Sequence, residues 1–353
     1  MAALWCDDFK SYGNNAALLL DGLYSSESCS LSEDPDPLVT GFVLGLGTVV
    51  FFDHLRKALP VAQQTVGMCA RVWFDSLPGG ALEPGFFRFD DGANVVHVSI
   101  SITSTGVLRA YRNTPSGGTL LGSTTGPVIT SNAWNHIEAK VKISDTVGTV
   151  EVRVNGVTVL NLANQDTANS ADLTVAQVVL TPSSRTDLVF DTVKIYMKDL
   201  FIWDTTGAHN NNFAGTVSVV ALTPNSDVAL TWALSGGATG FSLVNESPPV
   251  DTSFISAATP PPAIDKMGMT NLPADVTSVR ALMTLARARK TDGGDGNLQV
   301  GLISGASVDL GADRPLTTAF TYYADFSEED PATAAPWLPA AADAANIQFN
   351  RTL

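Results

Sequence analysis

Carboxylates are the first residues in this chain with the chemistry to cleave a bond. Glycosidic hydrolysis needs two of them flanking one bond, one as acid and one as base or nucleophile. The glutamates of the first 207 residues are Glu27, Glu33, Glu83, Glu138 and Glu151. No two of them fall at i, i+2 or i+4 on one expected strand face, so spacing offers no acid–base pair; a meeting between strands is the route left open. Hard oxygen ligands for calcium cluster near turns at Asp7-Asp8, Asp34-Pro-Asp36, Asp90-Asp91-Gly92 and Asp292-Gly-Gly-Asp295. Calcium takes six to eight oxygens, and none of these runs has the twelve-residue loop spacing. Aspartates in turns more often accept backbone N–H bonds, and that is the role expected of them. His54, His97, His136 and His209 share no short spacing, and no Gly-x-Ser-x-Gly elbow or Gly-Lys-Ser/Thr phosphate loop occurs. Trp5, Trp73, Trp134, Trp203, Trp232 and Trp337 have the flat apolar faces that stack on sugars. All except Trp337 lie within or beside expected strands, where such rings usually fill cores. Cys6, Cys29 and Cys69 are odd in number and lack Cys-x-x-Cys spacing, so buried free thiols are expected. The residues therefore assign no catalytic, cofactor-binding or metal site and no cofactor, and they leave the ligand-binding residues unknown.

These side chains must be positioned by strands. Phe190 to Gly215 reads FDTVKIYMKDLFIWDTTGAHNNNFAG. Val193, Ile195 and Met197 alternate with polar neighbours, a period of two, before Leu200-Phe201-Ile202-Trp203 turns apolar on both faces. This stretch is expected to be the last strand of one β domain, with Asn210-Asn211-Asn212 as the hinge to the next. Upstream, strands are expected at 4–9, 41–52, 65–75, 85–89, 95–102, 107–111, 134–143 and 173–180. A turn at 11–15, an apolar patch at 16–20, a loop from Ser25 to Pro37 and a polar break from Asp53 to Pro60 separate the early ones. Asn155-Gly156 between two alternating runs predicts a type I′ hairpin. Downstream, strands are expected at 217–221, 229–233, 241–244, 279–288, 298–304, 319–326 and 347–349. Pro224-Asn-Ser-Asp227 reads as a turn, and the Ala/Pro-rich 330–345 as a short helix or loop.

Composition agrees with many strands and turns. Charged residues are 16% of the 353, with 29 Gly and 19 Pro, leaving few long helix-forming runs. Net charge is −15, with 13 basic against 21 acidic residues up to position 206 and 7 against 14 beyond it. Both parts are acidic, which argues against nucleic acid and against anionic membranes as partners. The opening MAALWCDDF has no basic n-region or long apolar core, so no signal peptide and no membrane insertion are expected.

Two groups of motifs resemble known families. Asp7-Asp8-Phe9-x-x-Tyr12, Trp134-Asn-His-Ile-Glu138, Val150-Glu-Val-Arg-Val-Asn-Gly-Val-Thr-Val159 and Asp191-x-Val193…Asp199-Leu-Phe-Ile202 resemble the concanavalin A-like, or laminin-G-type, jelly roll over about residues 1–205. Glycoside hydrolases of that shape carry a Glu-x-Asp-x-x-Glu strand, which this chain lacks. Asp204-Thr-Thr-Gly207, Asn211-Asn-Phe-x-Gly215, Leu222-x-Pro-Asn-x-Asp227, Arg287-Ala-Arg-Lys290 and Glu329-Asp-Pro-Ala-Thr333…Trp337 look like virion structural proteins of tailed bacteriophages. The expected fold is all-β: a concanavalin A-like jelly-roll sandwich over 1–207, then a smaller β-sandwich over 208–353 carrying oligomer or virion contacts. The resemblance implies a non-enzymatic virion structural protein displayed externally, at the tail tip or fibre. Its lectin-like domain would bind host surface glycan. Its partners would be other virion proteins and further copies of itself, and it would be made in the bacterial host cytoplasm. A capsid decoration or head-fibre protein is the first alternative and a polysaccharide-degrading enzyme the second.

Overall fold

The computed structural model describes residues 2–9, 24–26, 30–33, 35, 42–46, 54–79, 83–181, 193–237, 239–247, 249–258 and 263–353. The expectations for 11–20 and 47–52 lie outside the described residues, as do Tyr12, Glu27, Cys29, Asp34, Asp36 and Asp191. The chain forms two compact units that divide between Val219 and Val220.

The strands of the first unit are β1 (Ala3–Asp7), β2 (Ser25–Ser26), β3 (Ser30–Glu33), β4 (Phe42–Leu46), β5 (Leu55–Gln63), β6 (Thr65–Phe74), β7 (Gly85–Asp90), β8 (Val96–Ile102), β9 (Leu108–Arg112), β10 (Thr119–Ser123), β11 (Trp134–Lys142), β12 (Gly148–Val154), β13 (Val157–Gln165), β14 (Val175–Leu180) and β15 (Ile195–Asp204). They make two antiparallel sheets. The eight-stranded sheet runs β13-β12-β11-β6-β15-β4-β3, with β1 also on β15, and the seven-stranded sheet runs β10-β9-β8-β7-β14-β5-β2. First and last strands pair directly, Cys6 opposite Phe201 and Asp7 opposite Leu200.

Alternation explains the core. Val66, Met68, Ala70, Val72 and Phe74 of β6 are fully buried, as are their opposite numbers Ile137, Ala139 and Val141 on β11. Phe87, Phe89, Val98, Ile100 and Ile102 line the other sheet, and Phe74 meets Phe86 across the gap at 5.6 Å. Each of the Val, Ile, Met and Phe side chains contributes roughly 1.5–3 kcal/mol by leaving water, which is what holds two sheets face to face. Asn155 (φ 50°) and Gly156 (φ 82°) form the expected positive-φ hairpin between β12 and β13.

The second unit contains β16 (Pro224–Ala229), β17 (Ala233–Leu234), β18 (Ile255–Ser256), β19 (Ala263–Met269), β20 (Leu282–Ala288), β21 (Asn297–Ser304), β22 (Ser307–Leu310), β23 (Arg314–Pro315), β24 (Thr321–Ser327), β25 (Glu329–Asp330), β26 (Ala335–Pro336) and β27 (Asn346–Arg351). Its main sheet runs β16-β19-β27-β21-β22, with β23 also on β21. The β20–β24 ladder brings Tyr323, Ala286 and Ala288 against Met267, Leu298, Val300 and Ile347. A second cluster gathers Leu302, Trp337, Ala342 and Ala345, around the one-turn helix α1 (Pro339–Asp343). The molecule is all-β, with two β units. Among the described residues no helix is long and apolar enough to cross a membrane.

Several expectations are corrected. Ser25–Pro37 is not simply a loop, since β2 and β3 lie within it. The expected break at Pro60 is inside β5, where the ladder to β14 is irregular between Ala58 and Gln63; a residue without N–H fits such a gap. The expected turn Pro224–Asp227 is β16, an edge strand that begins on its proline. Phe241–Leu243 is a 3-10 turn rather than a strand, because Asp227 accepts the N–H groups of Gly240 and Phe241 at 2.8 and 2.7 Å. Residues 208–219, assigned from sequence to the second domain, pack on the first unit. They form a strap over the eight-stranded sheet, and the expected hinge at Asn210–Asn212 is part of it. Phe213 stacks under Arg153 at 3.8 Å and near Trp203 at 6.0 Å, and Lys140 Nζ donates to Asn212 Oδ1 at 2.9 Å.

Candidate functional site

The outer face of the eight-stranded sheet is built from residues two apart on three adjacent strands. On β6 the inward residues are even-numbered, so Arg71 and Trp73 point out. Register sets Trp73 between Trp134 of β11 and Tyr196 of β15, and Arg71 between His136 and Lys198. The result is a grid of two rows: Trp134–Trp73–Tyr196 and His136–Arg71–Lys198. Rows lie about 6.7 Å apart along the strands and columns about 4.8 Å apart between them.

The aromatic row is half-buried, with Trp73 and Trp134 in edge contact at 5.8 Å. Lys198 Nζ sits 4.0 Å above the Trp134 ring and occupies one of its faces. In the second row, Arg71 Nε pairs with Asp199 Oδ2 at 3.3 Å and Nη2 donates to Ser218 Oγ at 2.7 Å. Asp199 is aimed there by a bulge in β15, where it adopts φ 56°, and its Oδ1 accepts from Val219 N at 2.8 Å. His136 is 3% exposed and neither ring nitrogen has a hydrogen-bond partner. Burial, assisted by the Arg71 charge, lowers its pKa to about 4, so the imidazole is neutral at neutral pH.

The outer face of the seven-stranded sheet has a different chemistry. Val179 of β14 lies opposite both Arg56 and Arg88, Arg88 lies opposite Ser99, and Ser99 opposite Tyr111. Arg88 Nη2 meets Asp90 Oδ2 at 2.5 Å. Asp90 is fully buried, and its carboxyl is raised by burial against the opposing pull of Arg88 and Arg56. Glu83 accepts from Arg109 Nη1 and, at 2.7 Å, from Tyr111 Oη. Gln177 Nε2 donates to Asn94 Oδ1 at 2.7 Å. His97 is fully buried; its Nδ1 accepts from Asn169 N at 3.1 Å, leaving Nε2 as the N–H.

The residues singled out from sequence are mostly occupied. Glu138 accepts from Gly215 N at 3.0 Å, and Glu151 from Arg153 Nε at 3.0 Å. Asp91 accepts the N–H groups of Ala93 and Val95, Asp7 that of Phe9, and Asp292 that of Gly294, the turn role expected of them. Among the described residues no three His, Cys, Asp or Glu side chains group as metal ligands do. Cys6 and Cys69 are free thiols, and burial pushes both upward. Trp337, placed outside the strands from sequence, is 2% exposed and donates Nε1 to Ser327 O at 3.2 Å. Trp5 and Trp203 are also core residues, which leaves Trp73, Trp134 and Trp232 partly exposed. Sequence reasoning did not gather the grid. Its signal is the i, i+2 pattern in Arg71-x-Trp73, Trp134-x-His136 and Tyr196-x-Lys198.

No family model and no curated protein matches this chain. Solved structures that resemble it include the cellulose-induced protein Cip1, at 14% identity, over 60% of this chain and 100% of that one, with a TM-score of 0.43. An alginate lyase, vAL-1 from Chlorella virus, is similar at 13% identity over 52% and 93% of the two chains, with a TM-score of 0.41. Botulinum neurotoxin type C, described as interacting with two ganglioside molecules, is similar at 11% identity over 57% and 47%, with a TM-score of 0.39. Likeness at this level goes no further than β architecture.

Proposed function

We propose that the first unit is a glycan-binding module and that the chain is a non-enzymatic structural protein of a tailed-phage virion, displayed at the tail tip or fibre. The observation that carries the glycan reading is the Trp134–Trp73–Tyr196 row beside the His136–Arg71–Lys198 row. Sugars present an apolar ring face and a rim of hydroxyls. A half-buried aromatic row takes the first; of the second row His136 and Lys198 are buried, so the partly exposed Arg71 guanidinium, held by Asp199 and Ser218, is the group that stands beside the rings for the second. Support for the virion placement is the sequence resemblance of residues 200–345.

Two measurements test the reading. On a glycan array, a hit with the wild-type chain should weaken about tenfold in Trp73→Ala and in Tyr196→Ala, the loss expected for one aromatic contact. Unchanged binding in both variants removes the aromatic row from the function. Immunogold labelling of intact particles should place the chain at the tail. Label over the head would favour a decoration protein, and particles without label would turn attention to the polysaccharide-degrading alternative.

A further inference from the structure

We infer that Lys140 and Asn212 join in a side-chain amide, formed by the chain itself, that fastens the strap to the eight-stranded sheet. The two residues are 72 positions apart, and Lys140 Nζ stands 2.9 Å from Asn212 Oδ1. Lysine–asparagine hydrogen bonds are common, and three further features make this one a reaction site. First, the lysine is packed against rings. It lies opposite Gly67 of β6, over which the Trp203 indole rests, and its Nζ is 4.5 Å from the centre of the Phe213 ring. Burial lowers its pKa, against the pull of Glu151 and with the help of Arg153, so the nucleophilic amine forms more easily than on a free lysine. Second, the amide carbonyl is polarised. Phe213 N donates to the same Asn212 Oδ1 at 2.9 Å, where negative charge gathers when the carbon is attacked. Third, a base is at hand. Glu151 Oε2 is 4.0 Å from Lys140 Nζ, one side-chain rotation or one water from hydrogen-bond range. Arg153 holds the other oxygen of that carboxylate, Oε1, from Nε and Nη2 at 3.0 and 2.9 Å.

The step balances within these residues. Glu151 takes one proton from the Lys140 ammonium. The freed amine attacks Asn212 Cγ, which lies one bond of about 1.2 Å beyond Oδ1, so the approach needs only a small shift. The Nζ–Cγ bond forms, and Nζ passes a second proton to Nδ2. The Cγ–Nδ2 bond then breaks, and ammonia leaves, taking the proton from Glu151 to become ammonium. No oxidant or co-reactant is needed, and Asn212 is exposed, so the leaving group passes into water. Once linked, the strap is held by a covalent bond as well as by Phe213 and its hydrogen bonds. A pull on the chain beyond Val219 then peels the strap no further than Asn212.

The test is mass spectrometry of the full chain. The intact mass should lie one ammonia below that of the unlinked sequence. A tryptic digest should hold a branched peptide carrying both Lys140 and Asn212, because trypsin does not cut at an acylated lysine. The branched peptide is the decisive readout, since a succinimide at Asn155-Gly156 also loses ammonia. Lys140→Arg and Asn212→Ala should each restore the lost mass. Glu151→Gln should link at least about a hundredfold more slowly, the share of a general base. A wild-type chain that gives no branched peptide after long incubation at mildly alkaline pH overturns the proposal, and so does a mass gain that maps to hydrolysis of Asn212 to aspartate. A folded Glu151→Gln chain that links as fast as wild type overturns the role given to Glu151. If a variant does not fold, the digest of the unchanged chain decides alone. No ligand enters the measurement, so this inference and the glycan reading can fail separately.

Discussion

His136 shows how one side chain ties a candidate site to stability. Its pKa falls from 6.5 to about 4, because burial disfavours the imidazolium and Arg71 repels it. The folded value lies below the unfolded one, so the unfolded chain binds more protons between them. Stability is therefore complete above about pH 6.5 and declines as the pH falls toward 4, by roughly 3 kcal/mol over the window. Carboxylates titrate in the same range, so the measurement is a difference. The urea midpoint of the first unit should drop more steeply from pH 7 to 4.5 in wild type than in His136→Gln. Parallel curves would mean that His136 is not held neutral. The outward placement of this residue could be read from sequence, since Trp134-x-His136 alternates with Ile137 and Ala139. Its neighbours could not. Arg71 is 65 positions away, and pairing between distant strands leaves no local mark in the sequence.

Among the elements, β6 and β15 pair side by side in the first unit, and Gly67 of β6 lies opposite Trp203 of β15. A Cβ there would stand 2.1 Å from the Trp203 ring, which is itself fully buried. Trp203 cannot yield easily, because Phe201 stacks beside it at 5.9 Å and Phe213 closes it from the strap. Gly67→Ala is expected to destabilise by roughly 1–3 kcal/mol through overpacking, read as a lower unfolding midpoint and altered Trp fluorescence. An unchanged midpoint would show that the indole can shift freely. Elements with a strong internal pattern were legible: β6, β11, β15 and the Asn155-Gly156 hairpin follow from alternation and turn chemistry. Those decided by distant partners were not. Pro224 looks like a turn residue until β19 offers an edge to pair with, and Phe241–Leu243 looks like a strand until Asp227 takes its N–H groups. The strap was illegible for the same reason. Asn210–Asn212 has hinge composition, and it is residues of distant strands, Arg71, Glu138, Lys140, Arg153, Asp199 and Trp203, that give residues 208–219 a place to bind.

At the scale of the whole molecule, the strap decides where the first unit ends. A fragment 1–207 matches the boundary read from sequence, and a fragment 1–219 matches the packing. The shorter one loses Phe213 from Trp203 and Arg153, the Gly215 N–H from Glu138, the Val219 N–H from Asp199, and the Ser218 hydroxyl from Arg71. Glu138 is fully buried, so losing the Gly215 N–H removes a hydrogen bond from a carboxylate that is shielded from water. Four such contacts at about 1 kcal/mol each make several kcal/mol, or roughly a 10 °C fall in Tm for a domain of this size. The 1–219 fragment should therefore melt cooperatively and well above 1–207. Equal melting temperatures would make the strap a passive linker. The comparison also bears on function, because the strap fixes Arg71 through Ser218, and Asp199 through Val219. If the His136–Arg71–Lys198 row works as proposed, 1–207 should lose glycan affinity even at temperatures where it stays folded.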